Sequence, residues 1–264
     1  MDVIHHIILL HGMGDIHPED AYYKPFRENI ASVLRRRGCD PDQVVRFYSI
    51  DYSQIGSVAE KAVLDRSFPE LKGQKPCPLH LIPFIRYFLT FYVGDVVVYS
   101  SPDGENSIRS YVFDRMDKII QGDASTFSIV AHSLGSVIAY DYLYNVFGKD
   151  SSKCRQVRPD GKHQLHSFFT MGSPIGLFLL RKRELFGRNF ALLKPNPIGL
   201  KTGTGSWCNF YDRQDVIAFP LKGFFPEIVK DIRVQTGDLI INSHENYWTE
   251  KGVAAKIVDR LLAT

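Results

Sequence analysis

Short runs dense in β-branched and aromatic residues alternate along the chain with longer stretches in which apolar residues return every three or four positions. The runs "VIHHIILL" (3–10), "QVVRFYSIDY" (43–52), "TFSIVA" (126–131), "LHSFFTMG" (165–172), "SWCNFYD" (206–212) and "IVKDIRVQ" (228–235) predict strands. Helical spacing predicts helices over about Tyr22–Arg37, Ser57–Arg66, 105–122, Leu134–Phe147 and 249–264, with Gly38 as the stop of the first. Strands alternating with helices call for an α/β protein with a mostly parallel central sheet and helices on both faces, because parallel neighbours need crossover connections. Two segments break the rhythm. "SFPELKGQKPCPLHLIP" holds four prolines, so residues 67–94 read as an insertion, and residues 173–205 show no strand and read as a second excursion over the sheet's end.

Length and composition narrow the class without naming a chemistry. A chain of 264 residues predicts one domain carrying these insertions as a lid or cap. At 44% hydrophobic and 23% charged it reads as globular. A net charge of +3, with basic clusters only at "LRRRG" and "RKRELFGR", argues against a nucleic-acid partner. The four cysteines stand far apart without a CxxC pair, so no metal site is expected and reduced thiols in a cytoplasm are the simplest reading. "MDVIHHIILLHG" lacks a basic n-region and a cleavage site, and reads as a first strand instead of a signal peptide. "LHLIPFIRYFLTFYVG" (79–94) is interrupted by Pro83 and Arg86 and falls short of the roughly 20 apolar residues of a span, which leaves peripheral membrane contact through the apolar insertion open.

Ligands of open α/β sheets bind beyond the carboxyl ends of strands. Four such ends carry reactive residue types: "HGMGD" (11–15), "AHSLG" (131–135), "YDRQD" (211–215) and "NSHEN" (242–246). Ser133 sits where strand gives way to helix. It is either an N-cap or a nucleophile lifted above the sheet by a strained turn, in the pattern G-x-S-x-G with Ala131 in the first position. A nucleophilic serine needs an adjacent base, and the base needs a carboxylate to orient it. His244 is the only histidine after His166 and is the natural base. Asp215 and Asp212 both stand as the acid, with Glu245 a weaker third. His5, His6 and His11 suggest a metal, but adjacent strand residues face opposite sides of the sheet, so packed histidines are the simpler reading. The glycines of "HGMGD" lack the third glycine and the acidic residue of a dinucleotide site.

With Ser133, Asp215 and His244 in the order Ser, Asp, His and "HGMG" after the first strand, the chain resembles the serine hydrolases of the α/β-hydrolase superfamily over nearly its whole length. Small bacterial lipases similar to this pattern also carry alanine at the position of Ala131. "DVIAFP" after Asp215 resembles the turn that carries the acid in many members, which favours Asp215 over Asp212. "YVGDVVVY" (92–99), "MGSPIGLFL" (171–179), "NFYDRQDVIA" (209–218) and "SHENYW" (243–248) are similar to segments of intracellular phospholipase A1 proteins with DDHD domains and related bacterial lipase-like hydrolases. No DDHD tetrad occurs, so phospholipid is not carried over as substrate.

The resemblance implies an α/β-hydrolase fold and cofactor-free cleavage of a small-molecule or lipid ester. Ser133 would be nucleophile, His244 base and Asp215 its orienter, with the backbone N–H groups of Met13 and Leu134 as the oxyanion hole. The apolar run 79–93 and "GLFLL" (176–180) would then flank the acyl chain, or else pack on each other as a satellite core. A thioesterase or acyltransferase uses the same residues. A non-catalytic scaffold on the same fold is the alternative from another class.

Overall fold

A computed structural model describes residues 4–12, 19–53, 55, 102–122, 126–148, 158, 160–179, 198, 200, 207–237 and 240–263. Met13, the helix expected at 57–66, the insertion at 67–94 and "YVGDVVVY" lie outside the described residues, as does the part of 173–205 beyond residues 173–179, 198 and 200.

Six strands are described: β1 (His5–Leu10), β2 (Val45–Ile50), β3 (Thr126–His132), β4 (Gln164–Met171), β5 (Trp207–Tyr211) and β6 (Val229–Arg233). They form one sheet in the order β2-β1-β3-β4-β5-β6, and every neighbouring pair is parallel. Each strand falls within a residue or two of the span expected from its apolar run. The helices are α1 (Glu19–Arg36), α2 (Pro41–Val44), α3 (Pro102–Gly122), α4 (Leu134–Phe147), α5 (Ile175–Phe178), α6 (Ile240–Glu245) and α7 (Lys251–Leu262), with a 3-10 turn at Asn246–Trp248. Among the described residues no helix is long and apolar enough to cross a membrane.

Alternation within β1 divides the core. Ile7 and Leu9 face a layer built from Tyr23, Phe26, Ile30, Val33 and Leu34 of α1 and from Val253, Ala254, Ile257, Val258 and Leu261 of α7. Ile8 and Leu10 face the opposite layer, where Ile108, Val112, Met116 and Ile120 of α3 present one stripe at a spacing of four. The sheet is therefore covered on both faces, and β1 and β3 are buried almost end to end. Gly38 closes α1 at φ 76°, with Cys39 N–H bonded to Leu34 C=O at 3.0 Å, a left-handed turn that a glycine adopts without strain.

α4 is apolar nearly all round and buried over its first ten residues, so it is the central helix of its layer. Its start presses against the end of β1. A Cβ on Gly135 would lie 2.2 Å from the His11 carbonyl oxygen and 2.9 Å from that of Leu10, so no larger residue fits there without moving one element off the other. The strand order reverses between β1 and β3, and open α/β sheets bind ligands beyond the carboxyl ends of strands at such a point. Gly12, Ser133, Gly172, Asp215 and His244 all follow the carboxyl ends of strands on that edge.

Candidate active site

Ser133 occupies the single turn between β3 and α4 with φ 50° and ψ −128°, and it is the only non-glycine residue with positive φ among the described residues. Such a conformation costs about 1–3 kcal/mol and persists only where neighbours hold it. Its N–H donates to Met171 C=O at 3.0 Å, and its C=O accepts from Ser136 N–H at 3.0 Å. Its side chain makes no capping bond to the helix. The N-cap reading of this serine therefore does not describe its geometry. Oγ lies instead 3.0 Å from His244 Nε2.

His244 is reached from the other end of the chain. The stretch "NSHEN", expected at the carboxyl end of a strand, instead forms the end of α6 and the first residue of the 3-10 turn, and His244 Nδ1 lies 2.9 Å from Asp215 Oδ2. Burial opposes ionisation of Asp215, but the His244 hydrogen bond and charge, Ile217 N–H at 3.0 Å and Tyr247 Oη–H at 2.9 Å outweigh it, and its pKa is lowered. An ionised carboxylate only accepts, so Nδ1 carries the proton and the neutral ring's Nε2 accepts from the Ser133 hydroxyl. Ser133 and Asp215 are 5% and 3% exposed. The array can take a proton from Oγ at one end while a buried negative charge steadies the imidazolium at the other.

Asp212, the alternative acid, turns away. It accepts from Gln214 N–H at 2.9 Å, capping its own turn, and from Thr236 N–H at 2.6 Å. Thr236 Oγ in turn donates to Ser243 C=O, and Asn246 Nδ2 donates to Thr236 C=O at 3.0 Å, so Asp212 and Thr236 anchor the helix that carries His244. Glu245 is exposed on that helix. Tyr247, one helical turn beyond His244, spans both aspartates: its oxygen accepts from Asp212 N–H at 2.8 Å while its proton goes to Asp215. Burial and the Asp215 charge push its hydroxyl far above the ordinary range, so it stays a donor.

Two glycines let the backbone close on this array. A Cβ on Gly12 would lie 2.7 Å from Ser133 Cβ and 3.3 Å from Oγ, which brings the loop after β1 directly against the serine. Gly172 takes φ 55°, and a Cβ there would lie 2.9 Å from both Asp215 Oδ2 and Tyr247 Cε2. The first backbone N–H of α4, on Leu134, follows Ser133 immediately. Met13 lies outside the described residues.

His132 is a residue the sequence reading passed over. It is 4% exposed, and its Nε2 lies 2.7 Å from the His244 carbonyl oxygen, which requires the proton on that nitrogen. Its ring centroid is 4.7 Å from that of His244. Burial, and then the neighbouring His244, hold its pKa down to about 3, so it is neutral near pH 7. It ties the end of β3 to α6 and so helps set the distance between Ser133 and His244. The only sequence signal was its place beside the serine.

The three N-terminal histidines do not come together. His5 meets His166 edge-on at 5.4 Å and His6 Nδ1 lies 3.0 Å from Tyr48 Oη. His11 is sealed at the end of β1, its Nδ1 bonded to Gly12 C=O, its ring stacked 4.3 Å from Tyr52 and its Nε2 3.3 Å from Asp51. The His11 hydrogen bond pulls Asp51 far below the usual carboxylate range. Among the described residues no group of three or more His, Cys, Asp or Glu side chains is arranged to hold a metal ion.

No model of a known protein family matches this chain, and no curated protein matches it either.

Proposed function

We propose that this chain is a serine hydrolase of the α/β-hydrolase type that cleaves carboxylic esters through an acyl-enzyme. One observation carries the reading: Ser133 Oγ, His244 and Asp215 are joined by contacts of 3.0 and 2.9 Å beside a serine held in a strained turn. A helix cap or a surface histidine accounts for neither the array nor the strain. The six-stranded parallel sheet, with these residues beyond its carboxyl ends, supports the same reading.

In the proposed reaction Ser133 Oγ attacks the ester carbonyl as His244 Nε2 takes its proton. The oxyanion is met by the N–H of Leu134 and, on the resemblance of "HGMG" to lipase loops, by that of Met13. His244 returns the proton to the leaving alcohol, and the C–O bond to that alcohol breaks. Water activated by the same histidine then attacks the acyl-enzyme and releases the acid. Asp215 stays ionised throughout and holds the ring. Protein groups and water supply every step.

Hydrolysis of p-nitrophenyl esters of graded chain length, set beside acyl-CoA thioesters, tests the reading. Ester turnover that falls about 10⁶-fold in kcat in Ser133→Ala and His244→Ala is the expected result. Faster turnover of thioesters would move the protein to the thioesterases. Turnover that survives in Ser133→Ala contradicts the mechanism.

A further inference from the structure

The peptide bond between Ser133 and Leu134 carries two groups that cannot be turned independently. Its C=O belongs to Ser133 and its N–H to Leu134, the bond is trans, and in a planar trans peptide the two point in opposite directions. Whatever holds the carbonyl therefore aims the N–H.

The Ser133 carbonyl oxygen is held by Ser136 twice, by its backbone N–H at 3.0 Å and by its hydroxyl, whose Oγ lies 2.5 Å away. Ser136 Oγ also lies 2.8 Å from Ser173 Oγ, and Ser173 Oγ accepts from Ile175 N–H at 3.3 Å. Counting protons gives the chain a direction. A carbonyl only accepts, so the single hydroxyl proton of Ser136 goes to Ser133, and at the contact between the two serines Ser173 must be the donor. The sequence of donors runs from Ile175 N–H to Ser173 to Ser136 to the Ser133 carbonyl. Ser136 and Ser173 are fully buried, so water does not compete for these hydroxyls.

A serine in the first turn of a helix often bonds back to a nearby carbonyl, and by itself that contact would mean little. What separates this one is Ser173, which comes from the β4–α5 turn and leaves the Ser136 hydroxyl a single orientation. Ser173 is itself fixed, because its C=O accepts from Phe219 N–H at 3.0 Å.

We propose that Ser136 is a positioning residue for the oxyanion-binding N–H of Leu134, and that Ser173 acts through Ser136. The proposal rests on the reading of Ser133 as nucleophile. Two effects follow from the chain. It holds the peptide plane of a strained turn in the orientation that points Leu134 N–H away from the helix start, and it polarises the amide so that the N–H is a stronger donor. Both act on an oxyanion and leave binding of the neutral ester unchanged.

The test uses the full chain, a p-nitrophenyl ester and a trifluoromethyl ketone, which forms an oxyanion on Ser133. Ser136→Ala is expected to lower kcat about ten-fold, less than the loss of an oxyanion donor itself, with KM within about two-fold. Its Ki for the ketone rises by the same factor as kcat falls. Ser173→Ala loses a smaller factor, and the double variant matches Ser136→Ala because Ser173 has no other route to the site. Ser136→Cys, similar in size and a weaker donor, falls between, and it carries the test with Ser173→Ala if Ser136→Ala does not fold. Unchanged kcat and Ki in Ser136→Ala, or a double variant equal to the product of the singles, overturns the relay while leaving the hydrolase reading intact. An unmutated chain that turns over no ester and binds no ketone overturns both.

Discussion

Replacing Tyr247 by Phe removes one oxygen from the fully buried junction of the two aspartates, and the structure fixes what that oxygen does. It accepts from Asp212 N–H at 2.8 Å and donates to Asp215 Oδ2 at 2.9 Å. In the variant the Asp212 N–H is left inside the protein without its acceptor, at a cost of about 1–3 kcal/mol, and a hydrogen bond to a charged carboxylate worth about 1.5–3 kcal/mol is lost. Because one hydroxyl serves both, a combined loss of about 3 kcal/mol is expected. For a chain of this size that lowers Tm by about 6 °C. Urea unfolding is the direct assay: the midpoint moves and the slope does not, since the folded surface is unchanged. Asp215 keeps its bonds to His244 and to Ile217 N–H, so the array survives with a looser carboxylate. Ester turnover then falls about ten-fold in kcat, equivalent to about 1.4 kcal/mol of transition-state stabilisation, with little change in KM. A midpoint within experimental error of the unmutated chain would refute the bridge and the role given to it.

Two further predictions concern residues packed behind the site. Ala131 is fully buried and paired in register with Leu10 and Thr170, so Ala131→Gly keeps ester turnover, whereas Ala131→Val crowds the elbow and loses it in the same assay. His132 is held down to about 3 in the folded protein against about 6.5 unfolded, so the unfolded chain binds the extra proton. Stability is therefore full above pH 6.5 and falls as pH drops toward 3, by up to about 1.4 kcal/mol per pH unit from this group. Burial likewise lowers His166, to about 4, and His5, which adds to the same slope. Asp215, whose pKa is lowered instead, contributes stability that is lost only as pH falls through its folded value, below the ordinary carboxylate range. Urea midpoints at pH 7 and pH 5 check the window: the drop is expected to be smaller in His132→Gln, which keeps an N–H for the His244 carbonyl but does not titrate.

The strand and helix order was readable because each element carries its own pattern. The β-branched runs of β1 and β3 are buried on both faces, and the spacing of four in α3 marks its single stripe. Ser133 and Asp215 could be singled out because their residue types stand just past strand ends, where chain direction alone brings them to one edge of the sheet, whereas His244 stands on α6 and was singled out as the one histidine late in the chain. Asp212 and Asp215 were harder to separate, being three residues apart in one turn. What separates them is tertiary: Asp212 is taken by Thr236, and Asp215 faces His244.

The supporting contacts were not legible for the same reason. His132 reaches a carbonyl 112 residues away, and Ser136 meets a serine 37 residues away, so no local rhythm announces either pair. α6 is six residues of Ile, Asn, Ser, His and Glu, too short to show a period. One local signal did exist there. His244 and Tyr247 are three residues apart, the spacing that sets two side chains on one helical face, and both touch Asp215 Oδ2.

In the proposed function Ser133 is a nucleophile activated by His244. Reaction of the intact protein with a fluorophosphonate probe, followed by peptide mapping, tests it most directly. The expected result is an adduct on Ser133, slow labelling in His244→Ala and none in Ser133→Ala. Equal labelling of the unmutated chain and Ser133→Ala would contradict it.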